Sequence, residues 1–216
     1  MTFSYPSSVS VGAIAVYATR AQGEHAEIGR KACQRVKIGD SPINAYMARR
    51  VREEIASESS PLHAYVLPRA ALVPVPGSAP PYRDGLWTAR EICDALLAEG
   101  IGSAVQVMIQ RTTAVAKSHL QPMGKRNDHR THLESIGLVS DVLAPPDSIL
   151  LVDDVVTKGN TFYACATILA NAFPETDIRA LAIFRTRGFP NTIEHWFEPW
   201  LGELRFTGGR VDRWPD

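Results

Sequence analysis

Short apolar runs alternate with amphipathic segments through most of this chain, and no other feature narrows the fold as much. Ala70–Val75, Ala104–Ile109, Ile149–Val152 and Ile178–Phe184 read as buried strands. Gly85–Glu99 reads as a helix with Leu86, Ala89, Ile92 and Leu96 on one face and Gly100 as its stop, and Thr161–Phe173 reads as another. Strands that are apolar along their length and separated by helices belong to a mostly parallel sheet flanked by helices. The expected class is therefore α/β, and 216 residues suffice for one such domain but not for two of ordinary size. Residues 1–216 are read as a single unit.

The first sixty residues are less legible. Val11–Tyr17 has the small and β-branched residues of a strand, while Glu24–Ile38 is compatible with a helix or with the return arm of a hairpin. From Ser41 the signals are clearer. Ser41 suits an N-cap and Pro42 the first helical position, and Ile43, Met47, Val51 and Ile55 follow at helical spacing to an end near Ser57. Between the second and third core strands, Arg111–Pro146 has little periodicity, and a loop of that length is usually functional or mobile.

Charge bears on the partner. Lys+Arg and Asp+Glu are both 23, so bulk positive charge does not mark a general polyanion binder, and any anion site must be local. Cys33, Cys93 and Cys165 are too scattered for a disulfide framework or a zinc ribbon and are read as reduced thiols. With no apolar run near the roughly 20 residues of a membrane span and no signal-peptide pattern at the amino terminus, the expectation is a cytoplasmic protein with no membrane partner.

The chemistry concentrates in Ser148-Ile-Leu-Leu-Val-Asp-Asp-Val-Val-Thr-Lys-Gly-Asn-Thr161. An apolar strand delivers Asp153 and Asp154 at its carboxyl end, and a short loop with Thr157, Gly159 and Thr161 leads into a helix. Ligands of open α/β sheets sit at such strand ends. The helix dipole and the loop's N–H groups can bind a phosphate, Gly159 allows close backbone approach, and the threonine hydroxyls can donate further hydrogen bonds. The carboxylates would repel that phosphate, so accepting hydrogen bonds from sugar hydroxyls is their natural task. Other readings of single features remain open: an acidic pair can be a magnesium site of a receiver or nucleotide hydrolase, and Asn160 or Thr161 can be a helix cap. No Walker-type motif accompanies them.

Taken whole, the segment resembles the 5-phosphoribosyl-1-pyrophosphate (PRPP) motif of type I phosphoribosyltransferases. The resemblance implies that fold, with a hood drawn from terminal segments, and a Mg2+-dependent transfer of the phosphoribosyl group to an acceptor with release of pyrophosphate. By position, Asp153 and Asp154 would be the catalytic pair on the ribose hydroxyls, and Thr157, Lys158, Gly159, Asn160 and Thr161 would cradle the 5′-phosphate. Magnesium would be held through PRPP, with no direct protein ligand. Lys158 stands where a small or hydroxyl residue is common; it either assists a polyphosphate or is solvated.

Two further blocks agree. Val73-Pro-Val-Pro-Gly-Ser78 resembles the pyrophosphate loop of the family, with Pro76, Gly77 and Ser78 as the binding residues. With Arg83–Arg90 behind it, the block resembles the ComF-like branch, without the zinc ribbon that often precedes it. The resemblance spans about residues 70–186; residues 1–60 lie outside it as an extension or hood candidate, and residues 187–216 form an aromatic tail. Arg111, Lys117, Lys125, Arg126 and Arg130, with the single acid Asp128 among them, occupy the place of the family's closing loop. Of these, Arg111 and Lys117 are the candidate pyrophosphate ligands. His119, His129 and His132 are read as loop residues rather than metal ligands. Trp196, Trp200 and Trp214 are read as core packing first, with base stacking or a dimer surface as the other options. The acceptor is open among a base, an amine and a nucleic acid, and a homodimer is possible. A non-catalytic PRPP-binding regulator or DNA-uptake accessory, and a phosphoribosyltransferase-type toxin of a bacterial defence system, are the alternative functions.

Overall fold

The computed structural model describes residues 3–80, 85–116, 127–139, 146–188 and 191–215. In chain order the elements are β1 (Val9–Tyr17), α1 (Glu24–Lys37), α2 (Ser41–Ala56), β2 (Ala71–Pro74), α3 (Thr88–Ala98), β3 (Ala104–Val105) and β4 (Ile109–Arg111), then α4 (His129–Ser135), β5 (Ile136–Leu138), β6 (Ser148–Val156), α5 (Asn160–Ala172), β7 (Asp177–Thr186), β8 (Phe197–Thr207) and β9 (Arg210–Trp214). Seven strands form the main sheet in the order β3-β2-β6-β7-β1-β8-β9. The first five run parallel, and β8 and β9 add an antiparallel hairpin at one edge. The expected α/β class with a mostly parallel, helix-flanked sheet is what the chain forms. Among the described residues no helix is long and apolar enough to cross a membrane.

Both sheet faces are dry, which is why the inner strands are apolar at successive positions. Leu72, Leu150, Val152, Leu181 and Ile14 pack under α1, α2 and α3 through Cys33, Met47, Val51, Ile92 and Leu96. Val73, Ile149, Leu151, Ala180 and Ala13 face α5, meeting Phe162, Tyr163, Ala166 and Leu169. At about 25 cal/mol per Å² of apolar surface removed from water, these two interfaces drive the fold. On α1, Gly29 permits close approach to β1, since a Cβ there would stand 2.8 Å from the Val16 carbonyl oxygen.

Several boundaries differ from the sequence-based expectation. Residues 1–60 were expected to lie outside the core as an extension or hood; instead β1 inserts between β7 and β8, and α1 and α2 cover one face of the main sheet. Glu24–Lys37 is a helix, with no hairpin arm. Ser41 is the first residue of α2 rather than its cap, which is Asp40. Leu86 precedes α3 and is exposed, while Ala89, Ile92, Cys93 and Leu96 form the buried face. The expected strand Ala104–Ile109 divides in two. The Leu72 carbonyl accepts from Gln106 N–H, whereas Val75 N–H donates to Val152, so Pro74 turns its missing N–H to the side of β3, beyond the last β2–β3 pair. Proline is tolerated where a ladder has ended. The chain then leaves the sheet, buries Met108 and Ile109 among the residues facing α5, and forms β4.

The long segment is not a structureless loop. β4 and β5 pair antiparallel, with Arg111 opposite Ile136, and α4 precedes β5 and packs on α5. His129 and His132 are buried on α4, which corrects their reading as loop residues. In the carboxyl-terminal hairpin, Trp200 is buried between the Arg185 and Arg213 guanidinium groups, whose carbons stand 5.6 and 5.4 Å from its ring centre, and Trp214 is 63% exposed.

Candidate functional site

β2 and β6 are neighbours whose connections wind in opposite directions. From β2 the chain passes through α3 outward to β3, and from β6 it passes through α5 to β7 on the other side. A crevice opens where neighbouring strands diverge in this way, beyond their carboxyl ends. Here it is a cleft of about 170 Å³ lined by Pro76, Gly77, Ser78, Arg111, Val115, Ala116, Asn127, His132, Asp153 and Thr161. Residues from the loop after β2, from β4, from α4, from β6 and from the start of α5 therefore meet in one place.

The strand carrying the acidic pair is longer than the expected Ile149–Val152: β6 runs to Val156, so Asp153 and Asp154 lie inside it. Successive strand side chains leave opposite faces. Asp153 lines the cleft, while the charge of Asp154 reaches across to the α1 layer, where, with burial as the larger cause, it helps push the Cys33 thiol up to about 12. Burial first, and then the adjacent Asp154, raises the Asp153 carboxyl well above the usual carboxylate range; the Asp154 N–H, which donates to Asp153 Oδ1 at 2.9 Å, works against that rise.

Arg111, 2% exposed, lines the same cleft as Asp153. Its Nε donates to the Gly77 carbonyl at 2.8 Å, its Nη1 donates to Ser135 Oγ at 2.7 Å, and both Nη1 and Nη2 stand 3.3 Å from His132 Nδ1. No ion pair with a carboxylate is formed by Arg111 among the described residues. Burial lowers its basicity, and Cys165 and then Asp153 partly restore it. A guanidinium held mainly by neutral acceptors keeps an unbalanced charge, which makes the cleft a favourable place for an anion.

In the Thr157–Thr161 loop, Gly159 is the N-cap of α5 with φ +84°, a left-handed conformation that favours glycine, and it is buried against Leu204. Thr161 lines the cleft, and its Oγ1 is 3.3 Å from His132 Nε2. Thr157 and Asn160 are half-buried, and the Asn160 amide donates to the Asn127 carbonyl at 3.1 Å. The Lys158 side chain is exposed. Lys117, the other cation expected at the pyrophosphate, lies outside the described residues, as do His119, Lys125, Arg126 and Arg83. The structure thus brings Pro76, Gly77, Ser78, Arg111, Asp153 and Thr161 together at one cleft.

Sequence reasoning missed His132, Ser135 and Asn127. His132 has the clearest signal in retrospect: on α4 it lies at i,i+3 from Ser135, and both face Arg111. Burial, and then Arg111, lowers its pKa to about 4. The described residues hold no group of three or more His, Cys, Asp or Glu side chains that could hold a metal ion by themselves. Set beside known proteins, the chain matches no protein-family model and no curated protein.

Proposed function

We propose that this chain is a Mg2+-dependent phosphoribosyltransferase of the type I fold, which binds PRPP at the cleft between the ends of β2 and β6. On this reading it transfers the 5-phosphoribosyl group to an acceptor and releases pyrophosphate. The observation that carries the reading is the buried Arg111, which touches the Gly77 carbonyl and lines the same cleft as Asp153 and Thr161. A ligand with anionic groups at both ends and hydroxyls between them suits that layout.

Each residue then has a task set by its surroundings. The Thr157–Thr161 loop and the amino end of α5 receive the 5′-phosphate. Gly77 and Ser78 offer backbone N–H groups to the pyrophosphate, and Arg111 offers guanidinium N–H groups. Asp153 accepts from Asp154 N–H, and further hydroxyl donors from a ribose would stabilise its charged form. Its charge would also favour the positive charge that develops on the ring as the bond to the leaving group lengthens.

Magnesium fits this site as a substrate-borne ion. It commonly takes one or two carboxylates together with phosphate oxygens, and the described residues supply an acidic pair but no larger cage. The ion would enter with PRPP, and Asp153 is the carboxylate of the pair that lines the cleft. When bound, the ion neutralises charge on the pyrophosphate.

Replacing Asp153→Asn and Asp154→Asn together is expected to abolish Mg2+-dependent PRPP binding in calorimetry while the circular dichroism spectrum stays unchanged. Retained PRPP affinity would refute the proposal. Release of pyrophosphate in the presence of one of a panel of bases and amines identifies a transferase, and binding without release identifies a regulator.

A further inference from the structure

We propose that His132 is a positioning residue of the cleft, its imidazole joining the Arg111 guanidinium to the Thr161 hydroxyl so that both present donors to one phosphate-bearing ligand. This rests on the cleft being a phosphate site and goes beyond the motif loops, because His132 belongs to α4 and to neither of them.

Three facts carry it. His132 is 4% exposed and its two ring nitrogens each face a partner: Nδ1 lies 3.3 Å from Nη1 and Nη2 of Arg111, and Nε2 lies 3.3 Å from Thr161 Oγ1. A guanidinium only donates, so Nδ1 is the bare nitrogen and the proton resides on Nε2. Nε2–H then donates to Thr161 Oγ1. With that lone pair used, the threonine's own O–H is left to donate elsewhere, and the polar space its side chain lines is the cleft. The other side of the arrangement is equally constrained. Arg111 is fixed by Gly77, Ser135 and His132, so its place in the cleft is set without a carboxylate that would compete with an anionic ligand.

The ionisable groups around the ring are Arg111 from β4, Asp128 at the cap of α4 and His129 on it; Cys165 of α5 and Asp153 of β6 act through Arg111, and α5 also contributes the uncharged Thr161. Burial and Arg111 lower the affinity of the ring for a second proton more than Asp128 raises it, so the imidazole remains neutral and a single tautomer persists at neutral pH. A protonated ring would lose its acceptor and turn a second N–H toward Arg111, breaking the join.

The test begins with the full-length protein free of ligand. Nitrogen-15 NMR of the histidine rings is expected to show His132 as the Nε2–H tautomer, uncharged from pH 8 to pH 5. An Nδ1–H tautomer, or a titration near pH 6.5, overturns the proposal. Calorimetry with inorganic phosphate, and then with PRPP and magnesium, follows on His132→Asn, Thr161→Val and the double variant. Each single change is expected to weaken binding about tenfold, and the double change well under the hundredfold product, because part of the histidine's effect passes through the threonine. Losses that multiply to about a hundredfold overturn it. The expected tautomer and coupling in a protein that transfers nothing would sink the transferase reading and support this one. Transfer activity with multiplicative losses would do the reverse, and a wild-type protein that binds neither probe would overturn both.

Discussion

The layer of α1, α2 and α3 and the layer of α4 and α5 cover opposite faces of the same sheet, but they bury different material. Under the first, Met47, Val51, Leu62, Ile92 and Leu96 meet Leu72, Leu150 and Val152 in an almost wholly apolar contact. Under the second, the apolar set around Phe162 and Ile149 is bordered by buried Arg111, His129, His132, Ser135 and Thr167. Non-directional burial tolerates repacking, whereas a buried guanidinium needs every acceptor in its place. The first layer therefore holds the sheet, and the second holds a geometry. In a fold of this kind the ligand belongs beside the layer whose cost of assembly is specific.

Three experiments press on that difference. The largest effect is expected from Leu150→Ala in the apolar layer: about 3 kcal/mol of unfolding free energy lost in urea titration, with phosphate affinity per folded molecule unchanged. An affinity loss of similar size would mean that the two layers are not separable. Next comes Arg111→Met, which keeps the volume and removes the charge. Phosphate affinity should fall on the order of 10²-fold in calorimetry, the value of one or two charge-assisted hydrogen bonds, while stability shifts by only about 1 kcal/mol. The opposite ranking, with folding lost and binding kept, would make Arg111 a structural cation.

A third effect is expected from pH. The pKa of His132 in the folded chain is lowered from 6.5 to about 4, so between those values the unfolded chain takes up a proton that the folded chain does not. Its contribution to stability is complete above pH 6.5 and is lost as pH falls toward 4. Asp153, whose carboxyl is raised, acts in the opposite sense: its penalty appears as pH rises above the ordinary carboxylate value. Comparing urea midpoints of the wild type and His132→Asn from pH 7 to pH 4 isolates the histidine. Parallel curves would place its ring in contact with water.

The same contrast explains what could be read from the chain. The strand Ala70–Val75, the run Ser148–Thr161 and the face Ala89–Ile92–Leu96 announce themselves through local periodicity, and the structure has elements at each. Gly77, Ser78, Arg111, Asp153 and Thr161 were singled out from short contiguous signals and come to one cleft. The place of β1 in the sheet was hidden because its partners, Ala180–Thr186 and Phe197–Leu204, lie far along the chain and pairing register leaves no local mark. α4 was hidden for a different reason. Its buried face includes His129, His132 and Ser135, which look like solvated residues until Arg111 and Phe206 are seen against them. A buried polar residue is recognisable only through its partners, and those partners lie 21 to 77 positions away along the chain, where no periodicity links them.

Gly159 is constrained from two independent directions. Its φ of +84° disfavours any side chain, and a Cβ would stand 2.3 Å from Leu204 Cδ2 on the β8 strand. Shortening Leu204 removes the second obstacle and leaves the first. No change at position 204 alone therefore opens position 159 to a side chain, and any replacement of this glycine must bend the loop at the start of α5.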